Sequence, residues 1–511
     1  MLLLGDILRR NAESRAFREK TALIFRERRT TYAALNEQAN RLANALIGSG
    51  VRKGDRVAVL GRNSDLYVAI YFALAKAGAI VVPVNFWHRT EEVRYTLSQS
   101  EASLFIVERR FEEVGVPAAD RKAIRQVLRY DDGGGESELT RLMAGADPSE
   151  PGVEVEEDDP HIILYTSGTT GFPKGATLTH KNHSVHAMSL ALSTGGVAED
   201  VGAVIYPLFH TGGPDCLVLP HFLAGATLVV LDGGDPKVIL EATEQHRITN
   251  IFCVPTVWRR ILRALEETPR DVSSVRRCLG SSDTFPPDLL DRILSRFNAE
   301  VYVTYGLTEA GCILTVCRLT REDRTKIGTV GRPVPGAEVR VVDPAGGDAP
   351  VGEVGEVVAR GPAIMAGYWN MPEKTAEAMR GGWLHSGDLA RWDSDGYLSI
   401  AGRAKDVIIS GGENIYPAEG ERGLKELKGV RDAAVVGVPD REWGESVLAV
   451  IAPEEGAGLS PEEVIAFVRA RLAGFKKPRY VEFVEALPVT TATGKVQKAV
   501  LREQFGKKYS T

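Results

Sequence analysis

The chain has 511 residues, 44% of them hydrophobic and 25% charged, and a formal net charge of −6. That length exceeds what a single hydrophobic core supports, so at least two domains are expected. The slight negative charge argues against a nucleic-acid or anionic-membrane partner, and no apolar run approaches the roughly 20 residues of a membrane-spanning helix.

The first residues and the cysteines both predict a cytoplasmic protein. The start, Met-Leu-Leu-Leu followed by Asp6 and an Arg-Arg pair, has too short an apolar core for a signal peptide. The five cysteines are odd in number and show no C-x-x-C spacing; they lie at positions 216, 253, 278, 312 and 317. We therefore expect reduced core thiols rather than a disulfide framework or a zinc site.

The first 160 residues alternate between helical and strand-like apolar patterns. Apolar residues recur at helical spacing over 31–46 and 63–76, the second stretch with Asn63 or Ser64 as its N-cap. Apolar runs at 56–60 and 79–84 predict buried strands. This order predicts an α/β fold whose parallel sheet is covered by helices. Residues 131–160, with three consecutive glycines and an acidic run, are typical of a solvated connection.

A loop dense in hydrogen-bond donors follows the next apolar strand. Residues 165–175 read Tyr-Thr-Ser-Gly-Thr-Thr-Gly-Phe-Pro-Lys-Gly. Exposed backbone N–H groups, hydroxyls and the Lys174 cation suit a polyanion, although a flexible surface loop has the same composition. A Walker A loop is excluded, because Pro173 precedes Lys174 and Gly175 follows it.

This loop resembles the phosphate loop of the adenylate-forming superfamily, which holds acyl-CoA synthetases, luciferases and peptide-synthetase adenylation domains. The resemblance extends over six ordered motifs from Thr31 to Arg502 and is nearest to acyl-CoA synthetases. It implies ATP-binding roles for the loop residues Thr166, Ser167, Gly168, Thr169, Thr170, Gly171 and Lys174.

The resemblance also implies a domain organisation. Residues 1–402 would form a large N-terminal domain of parallel-rich sheets covered by helices, with a β-rich subdomain at 328–361. Residues 403–405 would be the hinge, with Lys405 as its pivot, and residues 406–511 a small mobile α+β domain. In that last part we predict helices beginning near Ala418, Pro461 and Val496, and strands at 432–438, 446–452 and 480–484.

A histidine and a carboxylate interrupt an apolar segment after the loop. A lone histidine such as His210 is more often a structural core residue, and Asp215 is either buried and paired or free to act as a base. The resemblance places this segment at the carboxylic-acid pocket, with His210 also assigned to catalysis. The implied pocket residues are His210, Thr211, Gly212, Asp215, Ser281 and Gly311. We expect four glycines (212, 213, 306 and 311) to leave room for a bulky aromatic or medium-to-long acyl group.

The remaining motifs imply nucleotide and metal contacts. Glu309 stands in the motif Tyr-Gly-x-Thr-Glu. Its residue type alone would suggest a solvated carboxylate in a turn, but the motif implies that it binds Mg²⁺ together with Thr166. Asp388, in His-Ser-Gly-Asp, would accept hydrogen bonds from the ribose hydroxyls. The implied nucleotide contacts beyond the loop are Ser282, Asp283, Thr304, Tyr305, Gly306, Thr308, Asp388 and Arg403; Ser282 and Asp283 depart from the usual Gly-Gly-Ala-Pro.

Two motifs near the end complete the assignment. Gly411 and Gly412 would face the acceptor in the second half-reaction, and Lys495, in Pro-x-Thr-x-Thr-Gly-Lys, would be the catalytic lysine. The predicted helix after Pro417 contains Gly420 and Gly423, each about 0.8–1 kcal/mol less favourable than alanine. The sequence offers no reason for these two glycines.

Together the motifs imply ATP-dependent conversion of a carboxylic acid to an acyl-adenylate, with Mg²⁺, and transfer of the acyl group to coenzyme A by domain alternation. Two alternatives stay open: transfer to an amine, with Asp215 as base, or to a carrier-protein thiol. A nucleotide-binding protein without activity is disfavoured because the motifs are intact. A homodimer is among the oligomeric states left open.

Overall fold

The computed structural model describes residues 3–132, 135–166, 173–281, 285–411, 413–490 and 496–509. The chain divides into two compact units. The first comprises Met1–Ile327, Gly331–Val339 and Ala359–Leu384; the second comprises Gly328–Val330, Arg340–Val358 and His385–Thr511. Because Lys405 lies inside the second unit, this division is no test of rotation about it, and the boundary at 402/403 stays a prediction.

Helices and strands alternate through most of the first unit. The helices in the described residues are α1 (Leu4–Glu13), α2 (Tyr32–Gly48), α3 (Asp65–Lys76), α4 (Thr90–Gln99), α5 (Glu112–Gly115), α6 (Glu138–Ala144), α7 (His180–Thr194), α8 (Leu219–Ala224), α9 (Pro236–His246), α10 (Pro255–Glu267), α11 (Pro287–Phe297), α12 (Pro372–Ala378), α13 (Pro417–Lys425), α14 (Pro461–Arg469) and α15 (Lys498–Tyr509). Over the described ranges, no helix is both long and apolar enough to cross a membrane.

The strands are β1 (Thr21–Phe25), β2 (Arg28–Thr31), β3 (Arg56–Leu60), β4 (Ile80–Val84), β5 (Leu104–Glu108), β6 (Gln126–Tyr130), β7 (Pro160–Thr166), β8 (Lys174–Thr179), β9 (Val201–Val204), β10 (Thr227–Val230), β11 (Asn250–Cys253), β12 (Arg277–Gly280), β13 (Glu300–Tyr305), β14 (Thr315–Leu319), β15 (Arg332–Pro333), β16 (Glu338–Val342), β17 (Gly355–Arg360), β18 (Gly367–Tyr368), β19 (Leu384–Trp392), β20 (Leu398–Arg403), β21 (Ile408–Ser410), β22 (Glu413–Ile415), β23 (Val430–Asp440), β24 (Gly444–Pro453) and β25 (Tyr480–Phe483).

Two sheets form the first unit. The nine-stranded sheet has the order β15-β14-β13-β12-β11-β9-β10-β1-β2, and the seven-stranded sheet has the order β18-β8-β7-β4-β3-β5-β6. The pairs β3–β4, β3–β5 and β11–β12 are parallel. The predicted α/β class with parallel-rich sheets is therefore confirmed.

The helix predicted at 63–76 shows why the apolar pattern indicated the correct local structure. α3 begins directly after Ser64, whose Oγ accepts a hydrogen bond from the Tyr67 N–H at 3.0 Å. Every α3 residue from Tyr67 to its end is buried. A helix that is apolar on all sides requires cover on all sides, as a helix packed within an α/β core has.

One expectation about the connections was wrong. Residues 131–160 are not only a solvated connection, because they include helix α6. Ser137 caps this helix by accepting from the Thr140 N–H, and Leu139 is fully buried. The surrounding polar residues concealed a helix of two turns.

The second unit holds most of a four-stranded sheet, β16-β17-β19-β20, and a five-stranded sheet in which β22, β21, β24 and β23 follow one another and β25 pairs with β24. Alternate residues of β23 face opposite sides: Val435 packs in one cluster with Leu424 of α13, and Val436 in another with Leu501 of α15. This two-residue period gives the α+β layering that was predicted.

Candidate active site

The ends of the donor-rich loop are held side by side. β7 and β8 are antiparallel, with Thr166 paired to Lys174, and the Thr166 hydroxyl lies 3.5 Å from the Lys174 carbonyl oxygen. The loop residues between them that were assigned to ATP (Ser167, Gly168, Thr169, Thr170 and Gly171) lie outside the described residues. The strand pair therefore fixes where the loop leaves and re-enters the sheet.

Lys174 lies against an aromatic ring. Its Nζ is 4.1 Å from the centroid of the Tyr368 ring, within cation–π range. Tyr368 belongs to β18, which pairs with β8 so that Tyr368 is opposite Ala176. The sheet therefore sets this contact.

The Tyr368 hydroxyl also donates a hydrogen bond to Glu309. Its Oη lies 2.8 Å from Glu309 Oε1, and the Glu309 carbonyl accepts from the Met365 N–H at 2.9 Å. Glu309 and Thr308 lie on the 3₁₀ turn Thr308–Ala310, which follows β13. Tyr368 therefore joins the candidate phosphate cation to the candidate metal ligand. The Glu309 carboxylate and the hydroxyl of the adjacent Thr308 are hard oxygen donors, the type that Mg²⁺ requires.

The glycines of this region are closely packed. A Cβ on Gly306 would lie 1.8 Å from the Cys312 carbonyl oxygen. A Cβ on Gly311, whose φ is +73°, or on Gly213 would lie 2.6 Å from a backbone oxygen. A Cβ on Gly212 would lie 3.0 Å from the Tyr206 ring. The expectation that these glycines leave room for a bulky acid is therefore wrong: they permit tight turns.

His210 is half-buried beside Tyr206. Its Nδ1 accepts from the Gly212 N–H at 3.1 Å, and its ring stacks on Tyr206 with centroids 6.1 Å apart. Burial lowers the pKa of His210 to about 4, so the imidazole is neutral at neutral pH. Because Nδ1 accepts from Gly212, the neutral ring carries its proton on Nε2 and can donate one hydrogen bond to a group in the predicted acid pocket without adding charge.

Asp215 is fully buried and its two carboxylate oxygens are both engaged. Oδ2 accepts from the Thr211 hydroxyl at 2.8 Å, and Oδ1 bonds to Nδ1 of His183, which is itself fully buried. The structure thus favours the paired carboxylate over the free base. The use of Asp215 as a base for an amine loses its support.

The partner of Asp215 was missed in the sequence, together with its neighbours. α7 presents His180, His183 and His186 at three-residue spacing, and all three are buried; the rings of His180 and His183 lie against that of His161. The ring centroids of His161 and His180 lie 4.9 Å apart. The His-x-x-His-x-x-His spacing was the available signal, since residues three apart share a helix face.

The cysteines are all free and buried, as expected for reduced core thiols. The sequence did not indicate that two of them meet. Sγ of Cys216 lies 3.0 Å from Sγ of Cys312, with His186 next to them. Cys312 has a φ of +121°, a conformation that side chains rarely adopt.

The strand ends near the predicted adenine floor are tightly joined. The Thr304 hydroxyl donates to the Gly280 carbonyl at 3.1 Å, and Ser281 and Tyr305 are buried. Ser282 and Asp283 lie outside the described residues. The nucleotide roles of Thr304, Tyr305 and Gly306 stay predictions.

In the second unit, Asp388 and Arg403 are directly opposite each other on β19 and β20. Arg403 Nε lies 2.9 Å from Asp388 Oδ1, and the Asp388 N–H donates to Ser386 Oγ at 3.0 Å. Asp388 is buried, whereas Arg403 is half-exposed. The ion pair sets the orientation of a carboxylate that was predicted to accept from ribose.

The predicted hinge and acceptor residues also lie in this unit. Burial lowers the pKa of Lys405, whose carbonyl accepts from Arg502 at 3.2 Å. Gly411 has a φ of +59° and lies under the Trp443 ring, where a Cβ would be 2.5 Å from a ring carbon. Gly412 and Lys495 lie outside the described residues, so the predicted roles of all four residues stay predictions.

Comparison with known proteins shows which family the two units belong to. A model described as "AMP-binding enzyme" matches residues 8–369, and one described as "AMP-binding enzyme C-terminal domain" matches residues 419–495. A feruloyl-CoA synthase from Amycolatopsis sp is 42% identical over 482 residues, covering 93% of this chain and 94% of the relative. An indoleacetate–CoA ligase from Aromatoleum aromaticum is 36% identical over 501 residues, covering 96% of each.

The solved structures give the same result. ATP-bound MatB from Rhodopseudomonas palustris superimposes with a TM-score of 0.91 at 32% identity, covering 99% of each chain. The chain belongs to the AMP-binding enzyme family, that is, to the adenylate-forming superfamily, and it is close to the acyl-CoA synthetases.

Proposed function

We infer that the chain is an AMP-forming carboxylic acid–CoA ligase. The observation that carries this conclusion is the assembly of Lys174, Glu309 and Tyr368 beside the donor-rich loop, in a chain 42% identical to a feruloyl-CoA synthase over nearly its whole length. Its substrates are a carboxylic acid, ATP and coenzyme A.

In the first half-reaction, a carboxylate oxygen attacks the α-phosphorus of ATP. The new bond gives an acyl-adenylate, and the bond to the β-phosphate bridging oxygen breaks, so that pyrophosphate leaves. Catalysis consists of positioning and charge stabilisation. We assign Lys174 and the Thr166 hydroxyl to the leaving phosphates and Lys495 to the charge that develops between acid and α-phosphate.

The side chains at the proposed metal site fit the chemistry of Mg²⁺. Glu309 offers a carboxylate oxygen and Thr166 a hydroxyl, both hard donors, and we propose that they hold Mg²⁺. A bound Mg²⁺ supplies charge neutralisation at the phosphates. Lys174 and Thr166 would orient the triphosphate, and the turn that follows β13 holds the Glu309 carboxylate.

In the second half-reaction, the thiol of coenzyme A gives up its proton to solvent and its sulfur attacks the acyl carbonyl carbon. The C–O bond to the phosphate of AMP breaks, and AMP leaves with the electron pair. We propose that the small domain reorients about Lys405 between the two steps and that Gly411 and Gly412 border the incoming thiol. Transfer to an amine has no support, because the Asp215 carboxylate is engaged by His183 and Thr211.

We propose an aromatic acid as the substrate class. Support comes from the names of the two relatives, both aryl-acid ligases, and from the aromatic wall at His210, where Tyr206 also packs on Phe252 with centroids 4.9 Å apart. The closely packed glycines no longer contribute to this argument.

A pyrophosphate-release assay with an acid panel tests the proposal. Hydroxycinnamic and arylacetic acids are compared with medium-chain and long-chain saturated fatty acids at equal concentration. Aryl acids should give the higher kcat/KM. Preference for fatty acids would refute the aromatic class and leave the ligase intact. If neither class of acid causes pyrophosphate release, the result would favour a nucleotide-binding protein without activity.

A cytoplasmic location and a homodimer also stay proposals. Five free, buried cysteines suit a reducing compartment. Light scattering of the purified chain would give the oligomeric state.

A further inference from the structure

We propose that Tyr368 is a positioning residue that sets the Glu309 carboxylate for Mg²⁺ and keeps it apart from Lys174. The inference rests on the proposed metal role of Glu309. It assigns two separate tasks to one side chain: the hydroxyl orients an anion, and the ring face holds a cation.

The geometry separates the two tasks. Tyr368 Oη lies 2.8 Å from Glu309 Oε1 at the ring edge, and Lys174 Nζ lies 4.1 Å from the centroid over the ring face. The structure describes both Lys174 and Glu309 and shows no ion pair between them. The Tyr368 side chain therefore contacts both the cation and the carboxylate.

A direct salt bridge would be harmful here. It would neutralise the carboxylate that is proposed to bind a cation and the ammonium that is proposed to bind phosphate, so each ligand would have to break it. A phenol hydroxyl orients Glu309 without cancelling its charge. With Oε1 accepting from Tyr368, Oε2 would remain available to bind the metal ion.

Tyr368 is itself held on several sides. Its N–H donates to Thr375 Oγ1 at 2.8 Å, and the neighbouring Trp369 N–H donates to the Gly175 carbonyl at 2.7 Å. The side chain is buried. Because β18 pairs with β8, which begins at Lys174, these bonds fix the main chain of Tyr368 relative to that of Lys174. Such fixed support is what a ligand site requires.

The test measures metal binding apart from turnover. Mn²⁺ is titrated into enzyme that is saturated with ATP but lacks acid, and binding is followed by water-proton relaxation. Tyr368→Phe keeps the ring and removes the hydroxyl; it should weaken Mn²⁺ about threefold to tenfold, less than full loss of a charged hydrogen bond. The Mg²⁺ concentration for half-maximal pyrophosphate release should rise by the same factor, while the KM for ATP at saturating Mg²⁺ stays unchanged.

Two further variants complete the design. Tyr368→Leu also removes the ring, and should raise the KM for ATP as well, because Lys174 loses its support. Tyr302→Phe is the matched control: it removes a Tyr–Glu hydrogen bond at the other end of β13, from Tyr302 to Glu300. It should leave Mn²⁺ binding unchanged.

Glu309→Gln separates the inference from the function on which it rests. If Glu309→Gln weakens Mn²⁺ and Tyr368→Phe does not, Tyr368 has no positioning role and the metal assignment survives. If Glu309→Gln also binds Mn²⁺ as the unmodified enzyme does, the metal assignment is wrong and the inference falls with it. Equal weakening by Tyr302→Phe would show a general effect of lost hydrogen bonds and would likewise overturn the inference.

Discussion

Asp388 and Arg403 form an ion pair at 2.9 Å between directly opposed strand positions. The pair holds a buried carboxylate in one orientation before any ligand arrives. A carboxylate held in this way is predicted to accept hydrogen bonds from the two ribose hydroxyls. The motif predicted the carboxylate, and the structure supplies the partner that orients it.

Asp388→Ala should raise the KM for ATP by about 10- to 100-fold, because a charged acceptor is lost from a buried site. The measurement is pyrophosphate release as a function of ATP. Asp348→Asn is a matched control, since Asp348 forms an exposed ion pair with Arg340 in the same unit. An unchanged KM for ATP in Asp388→Ala would remove Asp388 from the nucleotide site.

At the scale of single residues, the sequence singled out candidates where a short motif contains them, and their roles stay predictions. Glu309, Lys174 and Asp388 each stand in such a motif. Their partners were not predictable, because Tyr368 lies 59 residues from Glu309 and His183 lies 32 residues from Asp215. Contacts over such separations are set by sheet order and packing, which one sequence does not reveal.

At the scale of elements, α7 carries buried histidines whose charge is suppressed. Burial lowers the pKa of His180 and of His186 to about 4, and that of His161 well below its usual value. Between pH 6.5 and about 4 the unfolded chain therefore binds more protons than the folded chain. The stabilisation is complete above pH 6.5 and is lost as the pH falls.

The thermal unfolding midpoint should consequently fall from pH 7.5 to pH 5.0. Each such histidine contributes up to about 1.4 kcal/mol per pH unit in this window. His161→Phe, which keeps a ring against Tyr71 and removes one ionisable group, should show a smaller fall over the same interval. A midpoint that is equal or higher at pH 5.0 would contradict the assignment.

The packing of helix α13 explains one of its two glycines. A Cβ on Gly420 would lie 3.2 Å from Val435 Cγ2, so this glycine allows the helix to pack closely on β23. A Cβ on Gly423 would meet nothing within 4 Å. Gly423 has no packing reason in the structure.

Gly423→Ala should stabilise the protein by about 0.5–1 kcal/mol, because alanine is the better helix former. Gly420→Ala should gain less or destabilise, since the new methyl presses on Val435. Thermal midpoints of the two variants, measured side by side, are the check. Equal gains would show that the close approach to β23 is unimportant.

Elements with strong periodicity were predictable from the sequence, and short polar ones were not. α2, β3 and the three helices and three strands predicted for residues 406–511 follow the predicted patterns closely. Helix α6 was missed because two turns within a polar stretch give little periodicity. The pairing of β18 with β8 was also invisible, since a two-residue strand has no pattern.

At the scale of the whole molecule, the two proposed half-reactions require two arrangements of the small domain. Lys495→Ala should suppress acid-dependent pyrophosphate release about 10²- to 10³-fold, as expected for one preorganised charge stabiliser. Thioester formation from a supplied acyl-adenylate should be nearly unchanged. Lys405→Pro should do the reverse, since a rigid hinge permits adenylation and blocks transfer. If Lys495→Ala impairs both half-reactions equally, domain alternation is wrong for this protein.

The central claim is that the acid attacks the α-phosphorus of ATP. An aryl acid carrying ¹⁸O in both carboxyl oxygens, incubated with ATP, Mg²⁺ and coenzyme A, tests it by mass spectrometry of the products. Because the attacking oxygen stays on phosphorus when the thiol displaces AMP, one ¹⁸O should appear in AMP, one should remain in the acyl-CoA, and the pyrophosphate should be unlabelled. ADP together with ¹⁸O-labelled inorganic phosphate, or AMP without label, would contradict the account.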